Sequence, residues 1–380
     1  MRKYALAIGV MLALFFVAAP AHQAQQKGGQ DETGDYNVVG GWPGPFAKPG
    51  YIQGAISGVF AETPNRIFVM NRGEIKLPEK LPNGFNGSWG STGERAARPP
   101  YEPRNFILIF DGKGKLLESW TQYDHLFAET KGSKGPHTVK ISPYDPERNV
   151  WIIDDTGHRL LKFTNDGKQL LMTIGEPGVP GNDEKHMNGP TDIAWLPDGT
   201  FFVTQGNEAA EKVAEPRIMK FDKNGKFLMQ WGSKGKGPGQ MDGAHGIAID
   251  RNRRLYVADR YNGRIQIFDE NGKFLDQWPG MKQPFHIVIT PDQYLWLSDG
   301  ESHRFFKYDL NGKLLYAFGY YGYFPGGLYG PHQFSVDTDG NLYIAEVFSG
   351  RAQKFTPKPG ADKSKLITPP GPIPQSKSSN

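Results

Sequence analysis

Three histidines of this 380-residue chain recur in one short sequence context. They are His137 in GPHTVKI, His245 in GAHGIAI and His332 in GPHQFSV, and each precedes a short apolar run. Imidazole nitrogens are common zinc ligands, and three protein ligands with one open position are typical of catalytic zinc sites. This chemistry requires a fold that brings residues far apart in the sequence to one point.

The histidines stand at the head of a repeated unit of four short strands. In residues 243–268, alternating apolar residues predict three strands, and KFLDQW after the Asn271-Gly272 turn predicts a fourth. Similar heads occur at residues 55–61, 135–141, 189–195, 243–249, 283–289 and 330–336. Six units are present, but only five have a fourth strand after their own third strand.

The missing strand is YNVVGGW, residues 36–42, which precedes the first head. An N-terminal strand that completes the last sheet closes a ring and leaves only short edges. The sequence therefore predicts an all-β fold: a six-bladed β-propeller of four-stranded antiparallel blades, closed by an N-terminal strand. A linear solenoid is the less favoured alternative, because its end sheets would be exposed.

Aligning the heads produces one column of residues that should line the central channel. The column reads Ser57, His137, Thr191, His245, Phe285 and His332. Histidines from alternate blades would face the axis at one height, which predicts a metal site with zinc as the cation. The alternative is that each histidine only caps the entrance of its strand. His286 lies one place later, so we expect it to point away from the axis and to be hydrogen-bonded.

Charged residues near the strand ends fall into two groups. Arg72 and Arg260 directly follow second strands, where they would lie near the channel mouth and suit a carboxylate or a developing oxyanion. The alternative for both is a solvated loop position. Repeated residues are expected to be scaffold or turn caps, and these are Arg159, Arg217, Arg264, Arg304 and Arg351 with Asp155, Asp259, Asp299 and Glu346. Asp192 and His186 flank the third head and could both be structural.

The chain ends indicate an exported protein. Residues 1–21 have a basic start, an apolar core and small residues before a cleavage point, which predicts a signal peptide and a secreted or periplasmic protein. We expect a flexible leader over residues 22–35, the propeller over 36–366 and a disordered Pro/Ser tail over 367–380. Residues 74–104 form a long insertion in the first blade, which is typical of a functional or disordered loop.

Composition limits the possible partners. The formal net charge is +4, without a basic block, so we expect no nucleic-acid role. No segment after the signal peptide is apolar enough to predict a membrane span. The expected partners are a small-molecule or peptide substrate, or a protein.

The repeats resemble NHL-repeat propellers, and the finer pattern resembles the peptidyl-α-hydroxyglycine α-amidating lyases. The matching segments are MNRGE, GPHTVKI, NDEKHMNGPTDIAW, KFLMQWG with GPGQ, residues 244–268 and GPHQFSVDTDGNLYIAE, within residues 36–356. The resemblance implies an axial zinc held by His137, His245 and His332, with Arg72 and Arg260 beside it. It also implies cleavage of a peptidyl-α-hydroxyglycine to a peptide amide and glyoxylate.

Three features depart from that family. Its Tyr after the second strand of the third blade is replaced by the longer loop GNEAAEKVAEPR, in which Glu208 and Glu211 are the acid/base candidates. Its Asp after the last histidine, associated with calcium, is Gln333, so calcium is a less favoured second cation. Its disulfides are missing, because the chain has no Cys.

Two other functions remain open. The chain could be a non-catalytic NHL-repeat propeller that binds an extracytoplasmic protein or ligand, which the missing Tyr favours. A calcium-dependent lactonase-like propeller would need acidic or Asn ligands at the axis, and the heads do not supply them.

Overall fold

The computed structural model describes residues 32–206 and 215–370. The predicted signal peptide, residues 22–31 of the leader, Glu208, Glu211 and residues 371–380 lie outside this part of the chain. None of the helices within the described ranges is long and apolar enough to cross a membrane.

The predicted six-bladed propeller is confirmed, with six four-stranded antiparallel sheets in the described chain. Blades 1 to 3 comprise the strands Ile56–Thr63, Arg66–Asn71, Ile107–Phe110 and Leu116–Ser119; Thr138–Ile141, Val150–Asp154, Arg159–Phe163 and Leu170–Ile174; and Pro190–Trp195, Phe201–Gln205, Arg217–Phe221 and Phe227–Trp231. Blades 4 to 6 comprise Ala244–Ile249, Leu255–Asp259, Arg264–Phe268 and Phe274–Pro279; Pro284–Ile289, Leu295–Asp299, Arg304–Tyr308 and Leu314–Phe318; and Pro331–Val336, Leu342–Glu346, Arg351–Pro357 and Tyr36–Val39.

The N-terminal strand closes the ring as predicted. Tyr36–Val39 pairs antiparallel with Arg351–Pro357, the third strand of blade 6. Ile367 packs against the same blade: it is buried, and its backbone N–H donates to the Tyr36 hydroxyl at 2.9 Å. The first residue of the predicted Pro/Ser tail, Ile367, is therefore packed against blade 6.

The repeated turns explain why the fourth strands fold back. In blade 4, the Asp269 carboxylate accepts hydrogen bonds from the backbone N–H groups of Asn271 and Lys273, both at 2.9 Å. Gly272 has φ 84°, and a Cβ there would lie 2.7 Å from the ring of Trp231 in blade 3. Glycine thus satisfies both the positive φ and the close contact between blades.

The hydrophobic core lies between neighbouring blades. One cluster joins Tyr256, Ile265 and Trp278 of blade 4 to Leu295 and Leu297 of blade 5. Similar clusters join the other neighbours, so each blade buries both faces of its sheet and the first strands are held around the channel.

Smaller elements lie outside the blades. Tyr51–Gln53 pairs antiparallel with Glu74–Lys76, and Ser233–Lys234 pairs parallel with Gln240–Met241. The helical segments are the α-helix Asp124–Ala128 and the 3₁₀ turns Trp89–Thr92, Thr121–Tyr123 and Lys363–Lys365.

Candidate metal centre

The three head histidines meet at the channel axis. His137, His245 and His332 come from blades 2, 4 and 6, and all three are buried. Their ring centroids lie 4.6–4.9 Å apart, and one ligand nitrogen from each falls within 4.8 Å of the other two. The propeller therefore assembles a group of three histidines that could hold a metal ion.

A backbone carbonyl of the following blade orients each imidazole. The three Nδ1 contacts are His137 to Thr191 O at 3.0 Å, His245 to Phe285 O at 2.7 Å and His332 to Ser57 O at 2.5 Å. A carbonyl oxygen can only accept, so each Nδ1 carries the proton and each Nε2 keeps its lone pair. The non-histidine heads thus fix the tautomer that metal binding through Nε2 requires.

Electrostatics keep these imidazoles neutral. Burial is the largest cause and lowers the pKa of all three, that of His332 to about 3. The charge of Arg260 lowers each of these pKa values further, and that of Arg72 acts on His137 and His332. Neutral imidazole is the form that binds metal.

The surroundings of His245 Nε2 show that the site fits a cation. It is buried and has no hydrogen-bond partner among the described residues. A buried lone pair without a partner is costly, and a metal ion would satisfy it. The donor set of three neutral imidazoles also suits zinc better than a hard cation such as calcium.

The residues that directly follow the second strands form a second ring. They are Arg72, Asp155, Gly206, Arg260, Gly300 and Val347 in blades 1 to 6. The assignment of Asp155 to the turn-capping column was wrong by one residue. Asp154, not Asp155, pairs with Arg159, as Asp259 pairs with Arg264 and Glu346 with Arg351. Asp155 is therefore at the position equivalent to Arg72 and Arg260.

Asp155 links Arg72 to the metal centre. The Arg72 guanidinium donates from Nη2 to Asp155 Oδ1 at 2.7 Å, and both side chains are buried. Asp155 Oδ2 lies 4.0 Å from His137 Nε2. Sequence reasoning missed this carboxylate, because only the strand pairing shows which of the adjacent Asp154 and Asp155 faces Arg159.

Arg260 approaches the site from blade 4, opposite Arg72 in the ring. Its guanidinium carbon lies 4.3 Å from the ring centroid of Phe285, and its Nε donates to Gln283 Oε1 at 3.2 Å. The Phe285 ring in turn stacks on His245, with centroids 5.3 Å apart. A cation, an aromatic ring and a histidine are therefore layered at one side of the centre.

The insertion in blade 1 reaches the same end of the channel. Ala96 N donates to Phe348 O at 2.8 Å, and Arg95 lies 3.3 Å from Glu301, so the insertion contacts the loops that follow the second strands of blades 6 and 5. Tyr101 in the insertion is close enough for the charge of Arg72 to affect its pKa, which burial raises to about 12. The long loop is thus packed beside the metal centre.

Three other residues considered in the sequence analysis form contacts away from the three histidines. Arg264 donates to the Asp259 carboxylate at 2.7 Å and to nearby loop carbonyls, which agrees with a scaffold role. His286 turns away from the histidines, as predicted, and its Nδ1 lies 3.4 Å from Asp192. His186 lies between Asp183 and Glu176 at the surface.

Gln333 occupies the position at which the resemblance implies a calcium-associated Asp. Its amide oxygen accepts from the backbone N–H groups of Val59 and Val139, both at 3.2 Å, and its amide nitrogen donates to Val139 O at 2.6 Å. This neutral side chain therefore links blade 6 to blades 1 and 2 through hydrogen bonds.

Similarity to known proteins agrees with this architecture. Residues 241–268 match the NHL repeat. The chain is 28% identical over 343 residues to peptidyl-glycine alpha-amidating monooxygenase B of Xenopus laevis, covering 85% of this chain and 36% of that protein. It is 26% identical over 361 residues to peptidyl-alpha-hydroxyglycine alpha-amidating lyase 1 of Drosophila melanogaster, covering 84% and 59%. The chain thus spans about a third and about three fifths of these two relatives' lengths.

A solved structure supports the fold. A streptogramin B lyase superposes with a TM-score of 0.52 at 14% identity, covering 84% of this chain and 97% of that one. Together these findings confirm an NHL-repeat β-propeller whose sequence resembles the α-hydroxyglycine amidating lyases.

Proposed function

We propose that this protein is a secreted zinc-dependent lyase that cleaves a peptidyl-α-hydroxyglycine to a peptide amide and glyoxylate. The observation that carries the proposal is the convergence of three buried, neutral histidines with their Nε2 atoms unprotonated, with Arg72 and Arg260 on either side. The similarity to peptidyl-alpha-hydroxyglycine alpha-amidating lyase 1 of Drosophila melanogaster supports the reaction class.

His137, His245 and His332 would hold the zinc ion. When bound there, zinc supplies Lewis acidity that polarises a substrate oxygen and lowers the pKa of its proton. The three backbone carbonyls behind the Nδ1 atoms hold the ligands in place before metal binds.

The arginines bind and orient the substrate. Peptidyl-α-hydroxyglycine ends in a carboxylate, which a guanidinium recognises through charge-assisted hydrogen bonds. We assign Arg260 to this carboxylate, because stacking on Phe285 fixes its plane beside His245. Arg72 has Asp155 as its counter-ion, so its role is to stabilise negative charge that develops on the substrate oxygen.

The reaction transfers one proton and breaks one bond. The carbinol O–H loses its proton, its electron pair forms the aldehyde carbonyl of glyoxylate, and the C–N bond breaks. The departing amide nitrogen gains a proton and becomes the primary amide. Glu208 and Glu211 stay the predicted acid/base candidates, outside the described residues.

Secretion rests on the sequence of residues 1–21, which has the three parts of a signal peptide. Fractionation of cells that express the full chain should place the shortened protein outside the cytoplasm. A full-length protein in the cytoplasm would contradict the export proposal but would not contradict the proposed reaction.

Glyoxylate release tests the reaction. The wild-type protein loaded with zinc should release glyoxylate from a peptidyl-α-hydroxyglycine, and His245→Ala should not. His186→Ala is the matched control, because His186 is at the surface and should be dispensable. If the wild type bound zinc but released no glyoxylate, the lyase proposal would be contradicted and the proposed metal site would still hold.

The second candidate is a non-catalytic propeller that binds an extracytoplasmic protein or ligand. The observation that favours it is the replacement of the family's Tyr by a longer loop in blade 3. Under this hypothesis the metal would be structural. Removing the metal would then lower the melting temperature, and no substrate of the α-hydroxyglycine class would be turned over.

A further inference from the structure

A large cavity opens at the end of the channel that is opposite the metal centre. Its volume is about 760 Å³, and its walls are the later residues of the first strands together with the turns that follow them. Apolar side chains dominate the walls, including Ile193, Ile247, Ile287, Phe334 and Val336. Ile367 and Thr368 complete one side. This size and composition are typical of small-molecule sites.

Lys140 and His286 line this cavity, and both contact the buried carboxylate of Asp192. Lys140 Nζ is 2.7 Å from Asp192 Oδ1 and also donates to the carbonyl of Ile193 at 3.1 Å. His286 Nδ1 lies 3.4 Å from Asp192 Oδ2. Burial lowers the pKa of the His286 imidazole, so it is neutral, and the charges of Lys140 and Asp192 cancel. This group of three side chains therefore has no net charge.

His286 offers an acceptor to the cavity. Its side chain is about 95% buried and lines the cavity. Because Nδ1 faces the Asp192 carboxylate, Nδ1 carries the proton and Nε2 keeps a lone pair. This Nε2 can therefore accept a hydrogen bond from a molecule in the cavity.

Small side chains also line the cavity. They are Ala194 in blade 3 and Ala248 in blade 4, among larger neighbours such as Val288 and Phe60.

We infer that this cavity binds an uncharged organic molecule with an apolar body and a hydroxyl or amide N–H head group. The apolar body matches the Ile, Val and Phe walls, and the head group would donate to His286 Nε2. A charged head group is disfavoured, because it would be buried without a counter-ion.

The site is separate from the proposed catalytic centre. None of His137, His245 and His332 lines this cavity, whereas Gln333, one residue after the last of them, does. Asp192 and Gln333 are tied to neighbouring blades by hydrogen bonds to Ile247 N and Val139 N. The inference therefore does not depend on the proposed lyase activity.

A matched pair of probes tests the site. Binding of 2-phenylethanol and of ethylbenzene, which has a hydrogen where the alcohol has its hydroxyl, would be measured by ligand-observed NMR on the full chain. Wild type should bind the alcohol more tightly, by roughly tenfold, since one buried hydrogen bond distinguishes the two probes. His286→Leu should remove this preference while ethylbenzene still binds.

Location is tested by filling the cavity. Ala248→Trp should abolish binding of both probes. If that variant does not fold, Ala194→Leu replaces it in the experiment and should weaken binding of both probes. His245→Ala, at the other end of the channel, should leave binding unchanged. Absence of saturable binding at millimolar probe, equal affinity of the two probes, or loss of binding in His245→Ala would overturn the inference.

Discussion

Replacing Asp155 with Asn tests whether the ring around the metal centre is correctly described. The substitution keeps the shape of the side chain but leaves the Arg72 guanidinium, whose side chain is 9% exposed, without its counter-ion. Removing one partner of a buried ion pair costs about 3–5 kcal/mol. We expect a loss of about 3 kcal/mol, at the lower end, because Asn can still accept one hydrogen bond.

This loss converts into a measurable melting shift. The entropy of unfolding is about 2.1 cal/mol/K per residue, which for roughly 330 described residues gives about 0.7 kcal/mol/K. A loss of about 3 kcal/mol therefore lowers the Tm by roughly 4 °C. Urea denaturation followed by tryptophan fluorescence would measure the free energy directly.

The control and the double-mutant cycle make the test specific. Asp166→Asn breaks an exposed pair with Lys168 and should have no measurable effect. Arg72→Gln combined with Asp155→Asn should cost clearly less than the two single changes added together, since both break the same contact. If Asp155→Asn behaved like Asp166→Asn, the buried pair would be wrong and so would the ring that contains it.

Three further outcomes follow from other parts of the channel. His332→Ala should lower zinc affinity at least about tenfold in a competition titration with a chelator, because one of three ligands is lost; unchanged affinity would exclude the axial site. The pKa of Asp192 is about 2 in the fold, below its usual 3.8, so the charged carboxylate stabilises the protein by about 2 kcal/mol above about pH 4, and this stabilisation is lost as the pH falls toward 2. The unfolding free energy of Asp192→Asn should therefore not show this pH dependence. Identical pH profiles of the variant and the wild type would contradict the role of Asp192. Gln333→Leu should lower the free energy of unfolding in urea by roughly 2–4 kcal/mol, because it leaves buried backbone groups of Val59 and Val139 unpaired. Added calcium should not raise the Tm of the wild type. A calcium-dependent Tm would contradict the assignment of Gln333.

The blades were predictable because the same sequence pattern occurs six times along the chain. Alternating apolar runs and Asx-Gly turns fix strands locally, and the count of fourth strands required closure by residues 36–42. The convergence of the histidines followed from this geometry, since equal positions in alternate first strands must meet at the axis.

Contacts between blades were not predictable in the same way. The carbonyl of Phe285 that orients His245 lies in the next blade, and no local pattern marks a backbone oxygen as a partner. Asp155 was misplaced because two aspartates are adjacent, and only the strand pairing shows which one faces Arg159. The pairing of Lys140 with Asp192 likewise depends on how two sheets pack.

Zinc content and glyoxylate release, measured on one preparation, test the central claim most directly. The account predicts one zinc ion per chain, glyoxylate formed in equal amount to the peptide amide, and loss of both zinc and turnover in His245→Ala. A wild-type protein that binds no metal, or a His245→Ala protein that binds zinc as the wild type does, would contradict the three-histidine centre.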